Sequence, residues 1–279
     1  VDKIKKIEID LLLDAILKRY GHDLRDYREP SVARRIVFIM NKSGCDNISE
    51  MTHRILYERD FFVWFISQFL ITVTEFFRNP LFFNCLRKKV LPYLKTYPFI
   101  KVWSVGCSTG EEAYSLAIIL KEEGLYDRAT IFATDYNDEA LQKAKDGIYP
   151  LEEIKKSLSN YQEAKGTHAF SDYIHANDDF AIIDSSLKDN ITFANHNLAT
   201  DSAFGEMHLI LCRNVLIYFN ENLRNRVFNL LHESLAYKGF LALGKSESLM
   251  FSNIGKFYDE VDKVLKVYQR QAVEGNLHG

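Results

Sequence analysis

The chain has 279 residues, 47% of them hydrophobic and 26% charged, with a net charge of −3 and a pI near 6.3. That length exceeds the usual single domain, so a full domain plus a smaller one is expected. The acidic balance argues weakly against a nucleic-acid partner, because phosphate binding needs a basic face. Cys45, Cys85, Cys107 and Cys212 form no CxxC pair and the histidines no HExxH pair, so no zinc site, disulfide framework or other metal site is expected.

From the start, Ile4, Ile7, Leu11, Leu12, Ile16 and Leu17 recur at three- to four-residue intervals, predicting an amphipathic helix to Tyr20 with Gly21 as its stop. A second helix is expected from Pro30 to Lys42, carrying Arg34, Arg35 and Lys42, with Gly44 beyond its end. A third covers Ile48 to Arg59 and a fourth begins near Phe61, so residues 1–80 read as a helical domain and linker. The apolar run from Phe61 to Val73 is too short to cross a bilayer. The start at Val1 lacks a signal-peptide core, so a cytoplasmic location is expected.

Residues 81–279 alternate between strand and helix patterns, as in a parallel sheet covered on both faces. The expected strands are Lys101–Val105, Thr130–Thr134, Ile191–Ala194, His208–Cys212 and Phe240–Leu243, with a final pair including Val264–Gln271. Residues 150–190 turn polar and irregular, and read as an insertion whose strands are Tyr173–His175 and Phe180–Ile183.

The segment Lys101–Leu120 reads as a buried strand, a glycine turn and a helix, the place where a nucleotide-like cofactor lies in a doubly wound sheet. Gly106 and Gly110 permit close approach of backbone to a ligand. Glu111 and Glu112 stand where a pyrophosphate would meet the helix N-terminus, and a carboxylate there repels phosphate. The pair suits a nucleoside with a cationic or zwitterionic tail, and S-adenosylmethionine is the common molecule of that description. Asp135 ends the second strand about where a ribose hydroxyl needs a partner, ~20 residues beyond the turn. The bland alternative is an N-cap, a task Asn137 can perform alone.

The apolar strand His208–Cys212 delivers Arg213 and Asn214 at its carboxyl end. Arg213 either pairs with a core acid or faces a ligand carboxylate, the latter being slightly favoured. Tyr218 is either a core tyrosine or a lid beside the reacting group. Thr72 to Pro80 lies at the junction of the two parts, where ligand sites concentrate. Reading it as a helix start capped by Thr74 leaves Arg78 unexplained. Arg34 and Arg35 are either a solvated face or, with Lys42, a docking patch.

Together the motifs Thr74-Glu-Phe-Phe-Arg78, Val105-Gly-Cys-Ser-Thr-Gly-Glu-Glu-Ala-Tyr-Ser115, Ala133-Thr-Asp135 and Cys212-Arg-Asn-Val-Leu-Ile-Tyr-Phe219 resemble the CheR family of chemotaxis receptor glutamate methyltransferases. The resemblance implies an α/β, doubly wound, Rossmann-like S-adenosylmethionine methyltransferase domain with a small inserted β-subdomain, preceded by an all-helical N-terminal domain. It places Thr72, Thr74, Arg78 and Gly106 beside the cofactor, Glu111 at its methionine amino group, Asp135 at the ribose, and Asn197 and Leu198 at the adenine. Arg213, Asn214 and Tyr218 would face the methyl group and substrate, with Arg78, Arg213 and Tyr218 as the catalytic set. Arg34, Arg35 and Lys42 become a receptor-docking face. The implied partner is the cytoplasmic helical region of methyl-accepting chemotaxis receptors, with the enzyme recruited to membrane receptor arrays.

A glutamate acceptor suits this residue set, because with a pKa near ~4.3 it is ionised at neutral pH and needs no general base. Some family members grip a peptide tethered to the receptor through glycine- and arginine-bearing strands of the insertion. Tyr173 to Ile183 has neither residue and contains Asp178 and Asp179, so no tethered-pentapeptide binding is expected. The competing readings are a non-catalytic S-adenosylmethionine-sensing or docking module, a methyltransferase for another substrate, and a nicotinamide-dependent dehydrogenase, which fits poorly with Glu111 at the phosphate position.

Overall fold

A computed structural model describes residues 3–70, 73–250 and 252–272. The chain divides into two compact units, Val1–Ile71 with Ile217–Val227, and Thr72–Leu216 with Phe228–Gly279. The division precedes the expected boundary at residue 80 because Phe76 and Phe77 are buried in the core of the second unit.

The first unit holds α1 (Lys3–Tyr20), α2 (Glu29–Ser43), α3 (Ile48–Tyr57) and α4 (Arg59–Phe69). Leu12, Ile16, Ile36, Ile39, Met51, Ile55 and Phe65 close its core. Helix α2 has Pro30 in its first turn and ends on Gly44 at φ 73°, a left-handed stop that glycine adopts without a Cβ penalty. Asn47 caps α3 by accepting from the Glu50 amide. The apolar stripe expected on α1 is split: Leu12 and Ile16 are buried, while Ile4, Ile7 and Leu11 are exposed. Residues 217–227 return to this unit, where the Arg28 amide donates to the Tyr218 carbonyl at 2.9 Å and Tyr27 bridges Phe219.

In the second unit α5 (Pro80–Cys85), a π-helical turn (Leu86–Val90) and α6 (Leu91–Leu94) precede β1 (Ile100–Val105). Then come α7 (Glu111–Glu122), β2 (Ala129–Asp135), α8 (Asp138–Asp146), β3 (Ile148–Pro150), α9 (Leu151–Glu163), β4 (Ile174–Ala176), β5 (Phe180–Ile183), β6 (Ile191–Asn195) and β7 (Met207–Cys212). Helix α10 (Glu221–Ser234), β8 (Leu235–Leu243), β9 (Tyr258–Asp262) and β10 (Val267–Arg270) follow. The main sheet has the order β6-β2-β1-β7-β8-β10-β9. Its first five strands pair in parallel, and β10 and β9 pair antiparallel. The order reverses at β1, whose Val105 pairs with Thr134 of β2 and Cys212 of β7. Three strand ends are therefore level around one switch point, where ligands bind in such sheets.

The insertion is a separate antiparallel sheet of order β3-β5-β4. Tyr173–His175 and Phe180–Ile183 supply two of its strands, the first beginning at Ile174. Helix α9 departs from the expected irregular stretch: it buries only Ile154, Ser157 and Tyr161 among charged neighbours, a spacing easily lost in a polar composition.

Candidate active site

The turn after β1 is held on all sides. The Cys107 amide donates to the Thr134 carbonyl at 2.9 Å, the Gly110 amide to the Cys107 carbonyl at 2.9 Å, and the Tyr149 hydroxyl to the Thr109 carbonyl at 2.6 Å. Gly106 has φ +65°, and a Cβ on it would meet Val215 Cγ2 at 2.5 Å. A Cβ on Gly110, at φ +96°, would meet the Ala144 Cβ at 2.9 Å. The space these glycines leave is thus taken by protein, and Gly106 is required by its packing against the loop after β7 as well as by its backbone angle.

Glu111 and Glu112, adjacent at the start of α7, have different environments. Glu112 accepts from the Ser104 hydroxyl at 3.0 Å and pairs with Arg213 at 2.8 Å. Glu111 is 4% exposed, and its carboxylate accepts the Thr109 hydroxyl at 2.9 and 2.8 Å. Burial pushes its pKa up to about 7. Among the described residues Glu111 forms no ion pair. A buried carboxylate normally has a cationic or multi-donor partner, and a ligand ammonium would complete this one.

Asp135, at the end of β2, accepts the Ser108 amide at 2.8 Å on one oxygen and the Asn137 amide at 2.9 Å on the other. Burial raises its pKa against these bonds and a further one from the Tyr136 amide. The cap of α8 is Asn137, whose side chain accepts from the Glu139 and Ala140 amides, so capping does not occupy Asp135.

Arg213 is 7% exposed and its fork is engaged by protein: Nη1 reaches Glu112 Oε2, and Nη2 donates to the Arg78 carbonyl at 3.0 Å. Its guanidinium also lies 4.0 Å from the centre of the Phe82 ring. Of the two readings of this arginine, the geometry realises the core-acid pair. Arg213 ties the end of β7 to α7 and to the Thr74–Pro80 segment. Burial depresses its pKa, while Glu112 opposes the shift.

Thr74 caps no helix, since α5 begins only after Asn79. The preceding segment is irregular, pinned by the Phe77 amide donating to Ser115 Oγ at 2.9 Å and by Asn160 donating to the Phe76 carbonyl at 3.2 Å. The Arg78 side chain is partly exposed and donates to the Val73 carbonyl at 3.2 Å, with no carboxylate partner among the described residues. Thr72 lies outside the described residues.

The segment after β6 passes beside the end of β2, where the His196 amide donates to the Asp135 carbonyl at 3.1 Å. Asn197 and Leu198 follow, both partly exposed. Asn197 accepts the Ala199 amide at 2.9 Å. Asn214 adopts φ 62° directly after Arg213. Tyr218 belongs to the first unit. Also in that unit, Arg34 is exposed, Arg35 is half-buried against Phe38 at 5.1 Å with its pKa lowered by burial, and Lys42 donates to Gln68 at 2.6 Å.

Glu247, absent from the expected set, stands at the same edge of the sheet. Its buried carboxylate accepts the amides of Asn214, Val215, Leu216 and Gly244. The available signal was an acid three residues past a glycine that closes an apolar strand at the edge where the other motifs gather. Among the described residues no group of three or more His, Cys, Asp or Glu could hold a metal ion, and no helix is long and apolar enough to cross a membrane.

Residues 72–263 match the CheR methyltransferase SAM binding domain, and residues 7–70 match the CheR methyltransferase all-alpha domain. A Pseudomonas putida protein bearing the name Cher3 is 45% identical over 264 residues, covering 95% of this chain and 97% of its own. The chemotaxis protein methyltransferase of Listeria monocytogenes is 32% identical over 251 residues, 88% of this chain and 93% of its own. A 104.1 kDa Rhodobacter capsulatus protein is 32% identical over 234 residues, 81% of this chain but 24% of the larger protein.

Proposed function

The chain belongs to the CheR family of S-adenosylmethionine-dependent methyltransferases, and from that premise we propose that it esterifies glutamate side chains on the cytoplasmic helical region of methyl-accepting chemotaxis receptors for sensory adaptation. The supporting observation is Arg78, a partly exposed guanidinium that, among the described residues, is bonded to a backbone carbonyl and to no carboxylate, and is therefore available to orient one. When bound, S-adenosylmethionine supplies a methyl group made electrophilic by the sulfonium charge.

The residues fit that cofactor. Glu111 would hold its ammonium group, Asp135 its ribose hydroxyls, Asn197 and Leu198 would flank its adenine, Thr74 and Gly106 would line its place, and Asn214 would face its methyl end. An acceptor carboxylate arrives ionised, so no side chain has to remove a proton. Arg78 positions that carboxylate through one face of its fork. A tighter, bidentate pair would stabilise the ground state and blunt attack, so alignment outweighs neutralisation. Arg213 acts through position, by holding the Arg78 carbonyl. The family resemblance gives Tyr218 a part in the catalytic set, and Arg34, Arg35 and Lys42 would receive the receptor helix. Each ester formed removes one negative charge from the receptor, a local electrostatic change with a signalling readout.

The enzyme would act in the cytoplasm, recruited to receptor arrays and independent of a tethered pentapeptide. The test is transfer of labelled methyl from S-adenosylmethionine to receptor-bearing membranes from a strain lacking the activity, followed by mild alkali. Base-labile label that disappears with Arg78→Ala is the expected result. Base-stable label would identify another acceptor, and absence of label despite binding of S-adenosylhomocysteine would identify a sensing or docking module.

A further inference from the structure

Glu247 is a buried carboxylate surrounded by main-chain donors. Its Oε1 accepts the amides of Val215 at 3.0 Å and Leu216 at 2.8 Å, and its Oε2 those of Asn214 at 3.0 Å and Gly244 at 2.6 Å. The residue is 5% exposed, and its own amide donates back to the Gly244 carbonyl at 2.9 Å. Four aligned N–H dipoles make an anion nest, here filled by a side chain of the same chain.

Three of those donors are consecutive residues of the loop that leaves β7. The loop starts at Arg213, which is clamped to Glu112 and the Arg78 carbonyl, and its next residue, Asn214, takes the left-handed backbone conformation. Val215 then fills the space that Gly106 leaves open in the turn after β1. Gly244 is equally constrained, since a Cβ there would lie 2.6 Å from Glu247 Oε2 and 2.8 Å from the Asn214 amide nitrogen. The carboxylate therefore sets the position of Asn214 relative to the cofactor turn through a chain of direct contacts.

Building on the proposed methyl transfer, we infer that Glu247 is a positioning residue for the reaction: it fixes the Asn214–Leu216 loop so that Asn214 is presented to the reacting methyl and acceptor, without touching either. The carboxylate is required because these four partners are all donors. A glutamine keeps the volume but turns an NH2 group toward two N–H groups, replacing attraction with repulsion. Glu111 and Asp135 are held by Thr109, Ser108 and Asn137, which do not depend on Glu247.

The test compares the whole chain with Glu247→Gln and, as a control, the exposed Glu260→Gln. Three quantities are read: amide hydrogen exchange of the peptide spanning Asn214–Leu216, affinity for S-adenosylhomocysteine, and kcat for methyl transfer to receptor membranes. The expected result is faster exchange confined to that peptide, affinity within about threefold of the parent, and kcat lower by about 100-fold, the order that a misplacement of ~1 Å costs. Unchanged kcat with a loosened loop would overturn the inference, as would faster exchange throughout the unit with parallel loss of affinity, which marks a purely structural residue. If E247Q does not fold, E247D, which keeps the charge but shortens the reach, is judged by the same criteria. A parent chain that methylates no receptor glutamate would defeat the proposed function, while the exchange and affinity measurements would still decide whether Glu247 holds this loop.

Discussion

The Thr109 hydroxyl bonds to the Glu111 carboxylate, 2.9 and 2.8 Å from its two oxygens, and no base joins them among the described residues. Burial outweighs this bond and one from the Glu111 amide, and pushes the carboxyl pKa up to about 7 from 4.5. In the role proposed for Glu111, a cofactor ammonium would bind the ionised form. Affinity for S-adenosylhomocysteine should therefore rise with pH through about 7 and level off above it, falling about tenfold per unit in the acid range. Calorimetry between pH 5.5 and 8.5 checks this, with proton release on binding at pH 6.

The same shift fixes the sign of an effect on stability. A raised carboxyl pKa favours the folded protein below pH 4.5, and that contribution is lost as pH rises through about 7. At pH 8 the free protein should gain on the order of 1–3 kcal/mol from Glu111→Gln. Cofactor affinity should fall in the same variant. Thermal melting with and without S-adenosylhomocysteine measures both.

Removing one member of the Arg213–Glu112 pair leaves a buried charge unmatched. Arg213→Met should destabilise the fold by about 3–5 kcal/mol, and adding Glu112→Gln should recover part of that loss. Arg213→Lys retains the charge but lacks the fork that reaches both Glu112 and the Arg78 carbonyl, so it should lower activity more than stability. Denaturant titration of the four proteins, set beside methyl-transfer rates, separates the two effects.

At Gly106 two penalties coincide, a positive φ and a filled neighbour volume. Gly106→Ala should cost about 1–3 kcal/mol from overpacking and more from the backbone angle. Val215→Ala in the same chain should recover only the overpacking part. Urea unfolding midpoints distinguish them.

If α2 docks the receptor, charge reversal at exposed Arg34 should raise KM for receptor membranes about tenfold at low salt while leaving kcat unchanged, and the effect should shrink as salt increases. Steady-state kinetics at two ionic strengths provide the check. Calorimetry with a receptor-derived pentapeptide should show no heat of binding.

The centre of the main sheet was legible because β1 and β7 are largely apolar runs, as parallel strands buried on both faces tend to be. Ile100–Val105 and Met207–Cys212 lie within one residue of the expected bounds. Helix α9 was not legible, since its few buried positions are interleaved with Lys, Glu and Ser. At the site, the motifs marked the level ends of β1, β2 and β7. They did not separate Glu111 from Glu112, because a one-residue step along a helix turns a side chain by about 100° and places the two acids in different environments. The core partner of Arg213 lies in a distant part of the sequence, as do the Asn214, Val215 and Leu216 amides on Glu247, and such pairings arise only when the sheet assembles.

Tyr149 belongs to the first strand of the inserted sheet, yet its hydroxyl supports the Thr109 carbonyl, one residue before Gly110 and two before Glu111. The insertion is consequently not a detachable module. A chimera that exchanged residues 148–183 for those of a relative with another side chain at position 149 would remove a strut from the turn after β1 while leaving the main sheet unaltered. Swaps intended to redirect partner choice would have to carry this tyrosine with them, or they would disturb at the same time the turn proposed to hold the cofactor.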